Sequence, residues 1–329
     1  MSKKNFFLLI LFFLSFSSSL FANAHIFVYH RFNDDRFKST SVSNQTLKSQ
    51  FQYLKDNGYQ VISISKLVRA IKEKKPINEK WVVLSIDDGY KSFYEQGLKI
   101  FKEFNYTFNI NIYVRAIRKK YSDYLSWKQI KEISKYGEIG LHSYFHPHLV
   151  KMSDDKINYD TNLSISIFEQ NLGFSPTIYA YPYGEYNKRV QNIVSKYGLK
   201  IFLNQDNGAI SNSSKITNLN RLGLVGNARL DEFLKYTRFE AKLIEPKIYP
   251  KNRKITKVIA KIYDKYGKID TNITKVKLFI TDNGWQDVDV KDGIINHKLN
   301  ITLKKRRIRI ILSDKFPNIS NTLLIKETQ

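Results

Sequence analysis

The stretch Trp81–Tyr90, WVVLSIDDGY, joins an apolar run to two adjacent carboxylates and a glycine. The run WVVLSI has the length and the β-branched content of a buried strand. Asp87 and Asp88 stand where this strand is expected to end, and Gly89 allows a tight turn after them. Two neighbouring ionised carboxylates repel each other, more strongly when they are partly buried. A metal cation, a shared proton or open solvent would relieve the repulsion, and an ordinary Asp-Asp-Gly turn is the simplest alternative.

Short apolar strands alternate with amphipathic helices from His25 to about Phe239. The predicted strands include HIFVY, WVVLSI, the alternating stretch TFNINIYV, EIGL and TIYA. Helical stripes lie between them, for example Leu47, Phe51 and Leu54 ahead of Gly58. This alternation predicts a parallel sheet with crossover helices, either a barrel or a doubly wound sheet.

The pattern changes after Pro246, where ITKVIAKIY, NITKVKLFI, GIINHKLNITL and RIRIIL are predicted strands separated by glycine-containing turns. We therefore expect residues 25–240 to form one α/β domain and residues 241–329 a separate antiparallel β-sandwich.

The amino-terminal residues 1–24 have the pattern of a cleaved signal peptide. Lys3 and Lys4 precede the apolar stretch FFLLILFFLSFSSSLF, which ends in Ala22-Asn23-Ala24, so cleavage would leave His25 as the first mature residue. The apolar core is shorter than the roughly 20 residues of a membrane span. We expect a periplasmic or secreted protein without a stable transmembrane anchor.

The composition restricts the chemistry and the partners. The chain has no cysteine, so any metal must be held by histidines and carboxylates. The formal net charge of +24 fits contact with anionic envelope polymers in an exported protein, and nucleic acid is not an expected partner. A lysine-rich proteome is the alternative explanation of this charge.

Polar residues follow four of the predicted parallel strands. They are His30 after HIFVY, Asp87 and Asp88 after WVVLSI, His142 and His146 after EIGL, and Tyr181 to Gly184 after TIYA. Ligands bind and reactions occur at the carboxyl ends of strands in parallel α/β folds. We therefore expect these residues to meet in one cleft.

His142 and His146 lie four residues apart in a strand-to-loop turn, a spacing at which both imidazoles can reach one ion. Two histidines and one aspartate make a three-ligand site for a catalytic divalent metal. The other aspartate can then stay ionised and act as a base toward a water molecule. Zinc is the expected ion, and nickel, cobalt and iron accept the same donors. Packing or surface histidines are the alternative reading of the HxxxH pattern by itself.

These motifs carry a family resemblance. SIDDGY resembles the TFDDG motif, and HSYFH followed by Pro147 resembles the H[ST]xxH motif, of the polysaccharide deacetylases with a NodB homology domain, carbohydrate esterase family four. YLSWKQIKEISKYGEIGLHSYFHPHL is similar to that family throughout its length. HIFVYHRF and LKSQFQYLKDNGYQVISISKLV narrow the resemblance to exported N-deacetylases of biofilm poly-N-acetylglucosamine. The resemblance covers residues 25–239 and implies a distorted (β/α) barrel of NodB type.

The resemblance also implies roles for individual residues. They are Asp87 as general base, Asp88, His142 and His146 as metal ligands, Ser143 as a residue that orients a ligand, and the Tyr183 N–H as an oxyanion donor with Pro182 beside it. Apart from the resemblance, Gly89 supplies the turn after the carboxylates, and Tyr90 is a candidate sugar contact because it stands at the rim.

Two departures from the family pattern leave roles open. Ala180 stands where the family has an arginine that steadies the catalytic aspartate, so Arg31 and Arg221 are the alternatives. No histidine lies between His148 and His297, so the usual late histidine, the general acid, has no counterpart. His30 is the expected substitute, because the biofilm subgroup carries this histidine on its first strand. A core histidine bonded to backbone is the alternative for His30.

The sequence thus predicts a metal-dependent N-deacetylase acting on N-acetylhexosamine units of an extracellular or envelope polysaccharide. Two alternatives remain open: a non-catalytic carbohydrate-binding protein on a degenerate deacetylase fold, and an enzyme that hydrolyses peptidoglycan acetamides or O-acetyl esters at the same site.

Overall fold

A computed structural model of the protein describes residues 23–226 and 228–327. The predicted signal peptide falls almost entirely on residues 1–22, outside the described residues. Its expected last residue, Ala24, is buried and exchanges two backbone hydrogen bonds with Ile210, at 2.9 and 2.8 Å.

The first part of the chain builds a main parallel sheet with helices around it. The strands of this part are, in chain order, β1 (His25–Tyr29), β2 (Arg31–Phe32), β3 (Ser41–Val42), β4 (Gln60–Val61), β5 (Trp81–Asp88), β6 (Asn109–Ile112), β7 (Glu138–Leu141), β8 (Ile178–Ala180), β9 (Ile201–Leu203), β10 (Leu222–Gly223) and β11 (Thr237–Arg238). Strands β2 and β3 pair in a small sheet of their own. The main sheet has eight strands in the order β10-β1-β5-β6-β7-β8-β9, with β4 beside β5, and every pair is parallel. This half-barrel confirms the predicted barrel of NodB type rather than the doubly wound sheet.

The helices are α1 (Asn44–Asp56), α2 (Ile64–Lys72), α3 (Leu98–Glu103), α4 (Val114–Arg118), α5 (Trp127–Ile133), α6 (Asp154–Leu172), α7 (Lys188–Val194) and α8 (Leu230–Phe233). Local sequence sets several of their ends: Ser126 caps α5 through a capping box with Gln129, and Gly173 ends α6 in a left-handed conformation. The sequence pattern predicts neither α2 nor the 19-residue α6. Among the described helices, none is long and apolar enough to cross a bilayer.

The C-terminal part contains seven further strands. They are β12 (Ala241–Glu245), β13 (Lys254–Ile262), β14 (Lys275–Ile280), β15 (Gly284–Asp289), β16 (Ile294–Thr302), β17 (Arg307–Ser313) and β18 (Asn318–Ile325). Together with β11 they form a five-stranded sheet, β11-β18-β17-β14-β15, and a three-stranded sheet, β12-β13-β16. Apolar residues of both sheets bury in one cluster, so the predicted antiparallel sheets of this region are present.

Alternation along the barrel strands separates two faces. Val82, Leu84 and Ile86 of β5 face the core beneath the helices, whereas Val83 packs in a second cluster with residues of β8 and β9. Ser85 and Asp87 continue the Val83 face toward the carboxyl end of the strand. The side of β5 that carries Val83, Ser85 and Asp87 is therefore apolar near the middle of the strand and polar toward its carboxyl end.

Strand β6 differs from the sequence prediction. TFNINIYV was expected to alternate as a strand, but only Asn109–Ile112 is extended, and all four residues are buried. The asparagines face the polar layer rather than solvent, and Val114 begins α4. In β6, the alternation of polar and apolar residues therefore does not indicate a strand with one solvent-exposed face.

Candidate active site

A buried polar layer lies under the carboxyl rim of the half-barrel. Strand register places Asp87 beside Asn111 and Asn111 beside Gly140. A side chain at Gly140 would place its Cβ 2.3 Å from Asn111 Oδ1, so only glycine leaves room for that asparagine. Asn111 Nδ2 in turn donates to Asp87 Oδ1 at 2.9 Å. The layer is thus shaped to hold one carboxylate.

Arg221 binds Asp87 from the opposite side. Its Nη1 and Nη2 atoms donate to the two carboxylate oxygens, each at 2.7 Å, and both side chains are fully buried. Arg221 also donates to Ser85 Oγ at 2.9 Å and to the Asn204 carbonyl at 2.8 Å. Burial opposes ionisation of Asp87, but the charge of Arg221, followed by that of His142, holds the pKa of Asp87 far below its usual value. Asp87 is therefore a fixed, ionised carboxylate.

Of the two arginine alternatives, the structure places Arg221 at Asp87 and Arg31 elsewhere. Arg31 donates to Asp34 at 2.7 Å and to Asp123 at 3.1 Å, and its guanidinium lies 3.6 Å from the centre of the Tyr90 ring. Arg31 thus holds Tyr90 at the rim.

Three donor atoms converge next to Asp87. His146 Nε2 lies 3.2 Å from Asp88 Oδ1 and 3.2 Å from His142 Nε2, and His142 Nε2 lies 3.4 Å from Asp88 Oδ1. Among the residues that the structure describes, these three make the one group of His, Asp or Glu side chains arranged to hold a metal ion. Asp87 stands just outside the group, with Oδ2 4.0 Å from His142 Nε2.

The donor set fits a divalent cation in its chemistry. His142 Nδ1 lies 2.8 Å from the Ala180 carbonyl, which fixes the proton on Nδ1 and leaves the lone pair of Nε2 toward the cluster. Burial lowers the pKa of His142 to about 4, although the nearby Asp87 opposes this shift. The imidazole is therefore a neutral donor at physiological pH.

Backbone conformation turns Asp88 away from Asp87. Asp88 and Gly89 both have left-handed φ values, 72° and 76°. Non-glycine residues adopt this region at a cost of about 1–2 kcal/mol. The two consecutive left-handed residues end β5 and place the carboxylates of Asp87 and Asp88 in different surroundings.

The loop after β7 is held by a residue that the sequence motifs do not include. Asp160 of α6 accepts the N–H groups of Tyr144 at 3.1 Å and Phe145 at 2.8 Å through its two oxygens. Ser143 Oγ accepts the His146 N–H at 2.9 Å. Burial raises the pKa of Asp160 to about 6, and the two backbone donors counter part of that rise. Asp160 and Ser143 together fix the path from one histidine to the next.

Tyr183 lies in a short turn, Pro182–Gly184, after β8. Pro182 is buried, whereas the Tyr183 ring is 41% exposed and has a left-handed φ of 59°. The ring centre lies 4.6 Å from that of His146 and 4.2 Å from that of His148, on which it stacks. Tyr183 therefore borders the donor cluster on its open side.

His30 follows β1 and lies at the same rim. Its charge contributes to lowering the pKa of both Asp87 and Asp88, after the larger effects of burial and of closer partners. In the described part of the chain, its Nδ1 is enclosed and has no hydrogen-bond partner. The alternative of a histidine bonded to backbone through this nitrogen is not what the structure shows.

Comparison with known proteins gives the family of this barrel. Residues 74–202 match the family model described as polysaccharide deacetylase. The chain is 25% identical over 244 residues to the poly-beta-1,6-N-acetyl-D-glucosamine N-deacetylase of Escherichia coli (strain K12), a match that covers 61% of this chain and 36% of that protein. It is also 25% identical over 201 residues to the enzyme of the same name from Staphylococcus aureus (strain MSSA476), covering 57% and 69% of the two chains.

Solved structures share the fold. The Streptococcus pyogenes deacetylase PplD superposes with a TM-score of 0.61 at 23% identity, over 66% of this chain and 99% of that one. IcaB from Ammonifex degensii superposes with a TM-score of 0.55 at 19% identity, over 64% of this chain and 94% of that one. The half-barrel thus has the fold of these deacetylases. The match of residues 74–202 to the polysaccharide deacetylase model confirms the resemblance read from the motifs.

Proposed function

We propose that the protein is a metal-dependent N-deacetylase of an acetylated polysaccharide. One observation carries the proposal: an ionised Asp87, bound on both oxygens by Arg221, lies beside a separate three-donor cluster rather than within it. A protein that only bound carbohydrate would not require a buried base at this place. The substrate class, poly-N-acetylglucosamine or a similar polymer, follows from the names of the relatives.

Asp88, His142 and His146 would hold a divalent cation, with zinc as the first choice. When bound, such a cation polarises the acetamide carbonyl and acidifies water, which suits a base whose pKa Arg221 keeps low.

The chain's own residues would divide the proton transfers. Asp87 accepts a proton from the attacking water, and the Tyr183 N–H donates to the oxyanion that forms on the acetyl carbon. His30 then protonates the leaving amine, so that acetate and a free amino sugar are released. Pro182 and Tyr90 would border the sugar. Each proton-transfer group contributes about a hundredfold to ten-thousandfold in rate.

Export remains part of the proposal, because residues 1–24 have the pattern of a cleaved signal peptide. The basic surface would then meet anionic envelope polymers through a field that salt screens.

A substrate panel tests the proposal. Acetate release is measured with zinc, nickel, cobalt or iron on N-acetylglucosamine oligomers, peptidoglycan and O-acetyl esters. We expect the oligomers to be the best substrates, at the amide bond. Release from peptidoglycan or esters alone would support the alternative substrates, and no release from any of them would favour a binding protein.

A further inference from the structure

The Tyr183 turn, residues Pro182–Gly184, holds a conformation that must be maintained by its surroundings. Tyr183 has a left-handed φ of 59° and a largely exposed ring. Such backbone is strained and persists only where neighbouring structure determines it. The turn also carries the N–H proposed to bind the oxyanion, so whatever holds it matters for the reaction.

One set of contacts reaches the turn from the C-terminal sheet. His148, on which the Tyr183 ring stacks at 4.2 Å, bonds through Nδ1 to Glu185 Oε2 at 2.8 Å. The other oxygen of Glu185 lies 3.8 Å from Nη1 of Arg307, the first residue of β17. The Glu185 side chain is only 11% exposed, so solvent and salt screen its charge poorly. Arg307 is the cation of the C-terminal sheet that lies within ion-pair distance of this charge.

A second set of contacts comes from the same face of β17. Arg309, two residues along the strand, donates to the buried Asp206 at 2.7 Å and to the Gln205 carbonyl at 3.1 Å. Gln205 packs tightly on Gly184: a Cβ at Gly184 would lie 2.5 Å from the Gln205 Cβ. The loop at residues 205–206, which Arg309 holds, therefore packs directly against the Tyr183 turn.

The strand that supplies both arginines is itself fixed to the barrel. Leu323 and Ile325 of the neighbouring β18 are buried in the same apolar cluster as the barrel residues beneath the helices. Strand β17 pairs with β18 from Arg307 to Leu312. The arginines thus extend from a rigid support rather than from a mobile appendage.

We propose that β17 of the C-terminal sheet positions the active site, with Arg307 acting through Glu185 and His148, and Arg309 through Gln205, on the Tyr183 turn. The inference rests on the proposed function for its effect on rate, but the two arginines lie outside the residues 74–202 that match the family model. Arg307 and Arg309 are positioning residues, since neither touches the donor cluster.

The test uses the full chain with Arg307→Gln, Arg307→Lys and the matched control Arg306→Gln, which makes the same charge change at an exposed neighbouring position. We expect R307Q to lower kcat about tenfold, as loss of an indirect support does. KM, the zinc Kd and Tm should stay close to those of R306Q, and R307K should recover part of kcat. Glu185→Gln approaches the same contact from the barrel side and should lower kcat equally, with no further loss in the double variant.

A crystal structure of R307Q, or of E185Q if R307Q does not fold, separates the inference from the proposed function. We expect the Tyr183 ring to leave His148, and its φ to change, even if no substrate is ever found. An unchanged Tyr183 turn, or a kcat of R307Q equal to that of R306Q, would overturn the inference. A wild-type protein that releases no acetate would instead overturn the proposed function.

Discussion

Arg221 lies 134 positions from Asp87 in the chain, yet it binds both oxygens of that carboxylate, as the sequence left open when it showed Ala180 where the resembled family has an arginine. The Ala180 position contributes its carbonyl, which orients His142. Asp87 is thus held by a residue just before β10, while the Ala180 position orients one member of the donor cluster. A buried ion pair of this kind costs desolvation, and removing one partner leaves a charge without compensation.

Replacing Arg221 should therefore affect stability and pH dependence together. We expect R221Q to lose about 3–5 kcal/mol of unfolding free energy. Because burial alone raises a carboxyl pKa, the pKa of Asp87 should rise without Arg221, and the acid limb of kcat/KM should move to higher pH. R221K keeps the charge but cannot bind both carboxylate oxygens in the same geometry. Its unfolding free energy and its acid limb should therefore lie between those of the wild type and R221Q. Urea unfolding and pH–rate profiles check this, and an acid limb that stays in place would contradict it.

At the scale of elements, α6 supports the loop that leads from His142 to His146. Its buried face carries Asp160, Thr161 and Ser164 as well as apolar residues, which weakens the helical stripe in the sequence. This is why the pattern fails to predict the longest helix. Of these polar residues, Asp160 is the one that reaches the loop.

The variant D160N should loosen that loop. An amide has one acceptor oxygen in place of two, so one of the N–H groups of Tyr144 and Phe145 loses its partner. We expect zinc affinity to fall about 10–100-fold. Isothermal titration calorimetry measures the change, with D155N on the exposed side of the same helix as the control. Equal affinities of the two variants would refute the role of Asp160.

Two histidines flank strand β1 in different environments: His25 is its first residue, and His30 directly follows it. His30 lies at the active rim, whereas His25 is buried at the opposite end, with Nε2 2.9 Å from the Tyr236 carbonyl. Burial lowers the pKa of His25 to about 4, partly opposed by that hydrogen bond.

His25 should make the fold less stable in mild acid. Its pKa is lower in the folded chain than in the unfolded chain, so between about pH 6.5 and 4 the unfolded state binds a proton that the folded state does not. We expect the wild type to lose about 2 kcal/mol more than H25Q on going from pH 7.5 to 5. Urea unfolding at both pH values measures the difference, and parallel losses would show that His25 does not titrate in this way.

At the scale of the whole molecule, strand β18 of the C-terminal region contributes buried residues to the core of the barrel. Leu323 is 5% exposed within the barrel cluster although it belongs to β18. We expect one cooperative thermal transition for the full chain, and L323A should lower its unfolding free energy by about 2–5 kcal/mol. Differential scanning calorimetry gives both results. Two separate transitions, or an effect of L323A confined to one of them, would contradict a shared core.

The sequence predicts those parts of the fold and site that lie in short continuous segments. Asp88, His142 and His146 fall in two such segments. Because both segments follow parallel strands, whose carboxyl ends lie at one rim, the sequence alone predicts that these residues are close together. Arg221 is different, because it precedes β10, a strand of two residues whose place beside β1 is set by long-range pairing. Arg307 depends on how a second sheet packs on the barrel, which no local pattern encodes.

Acetate release by wild type and D87N, assayed side by side on N-acetylglucosamine oligomers with and without a chelator, tests the proposed chemistry as a whole. We expect wild-type release that depends on a divalent cation, and a loss of at least about a hundredfold in D87N. Zinc binding by D87N should remain near normal, because Asp87 lies outside the donor cluster. Near-normal turnover by D87N, or wild-type release that the chelator leaves unchanged, would contradict the assignment of Asp87 as base beside a metal site.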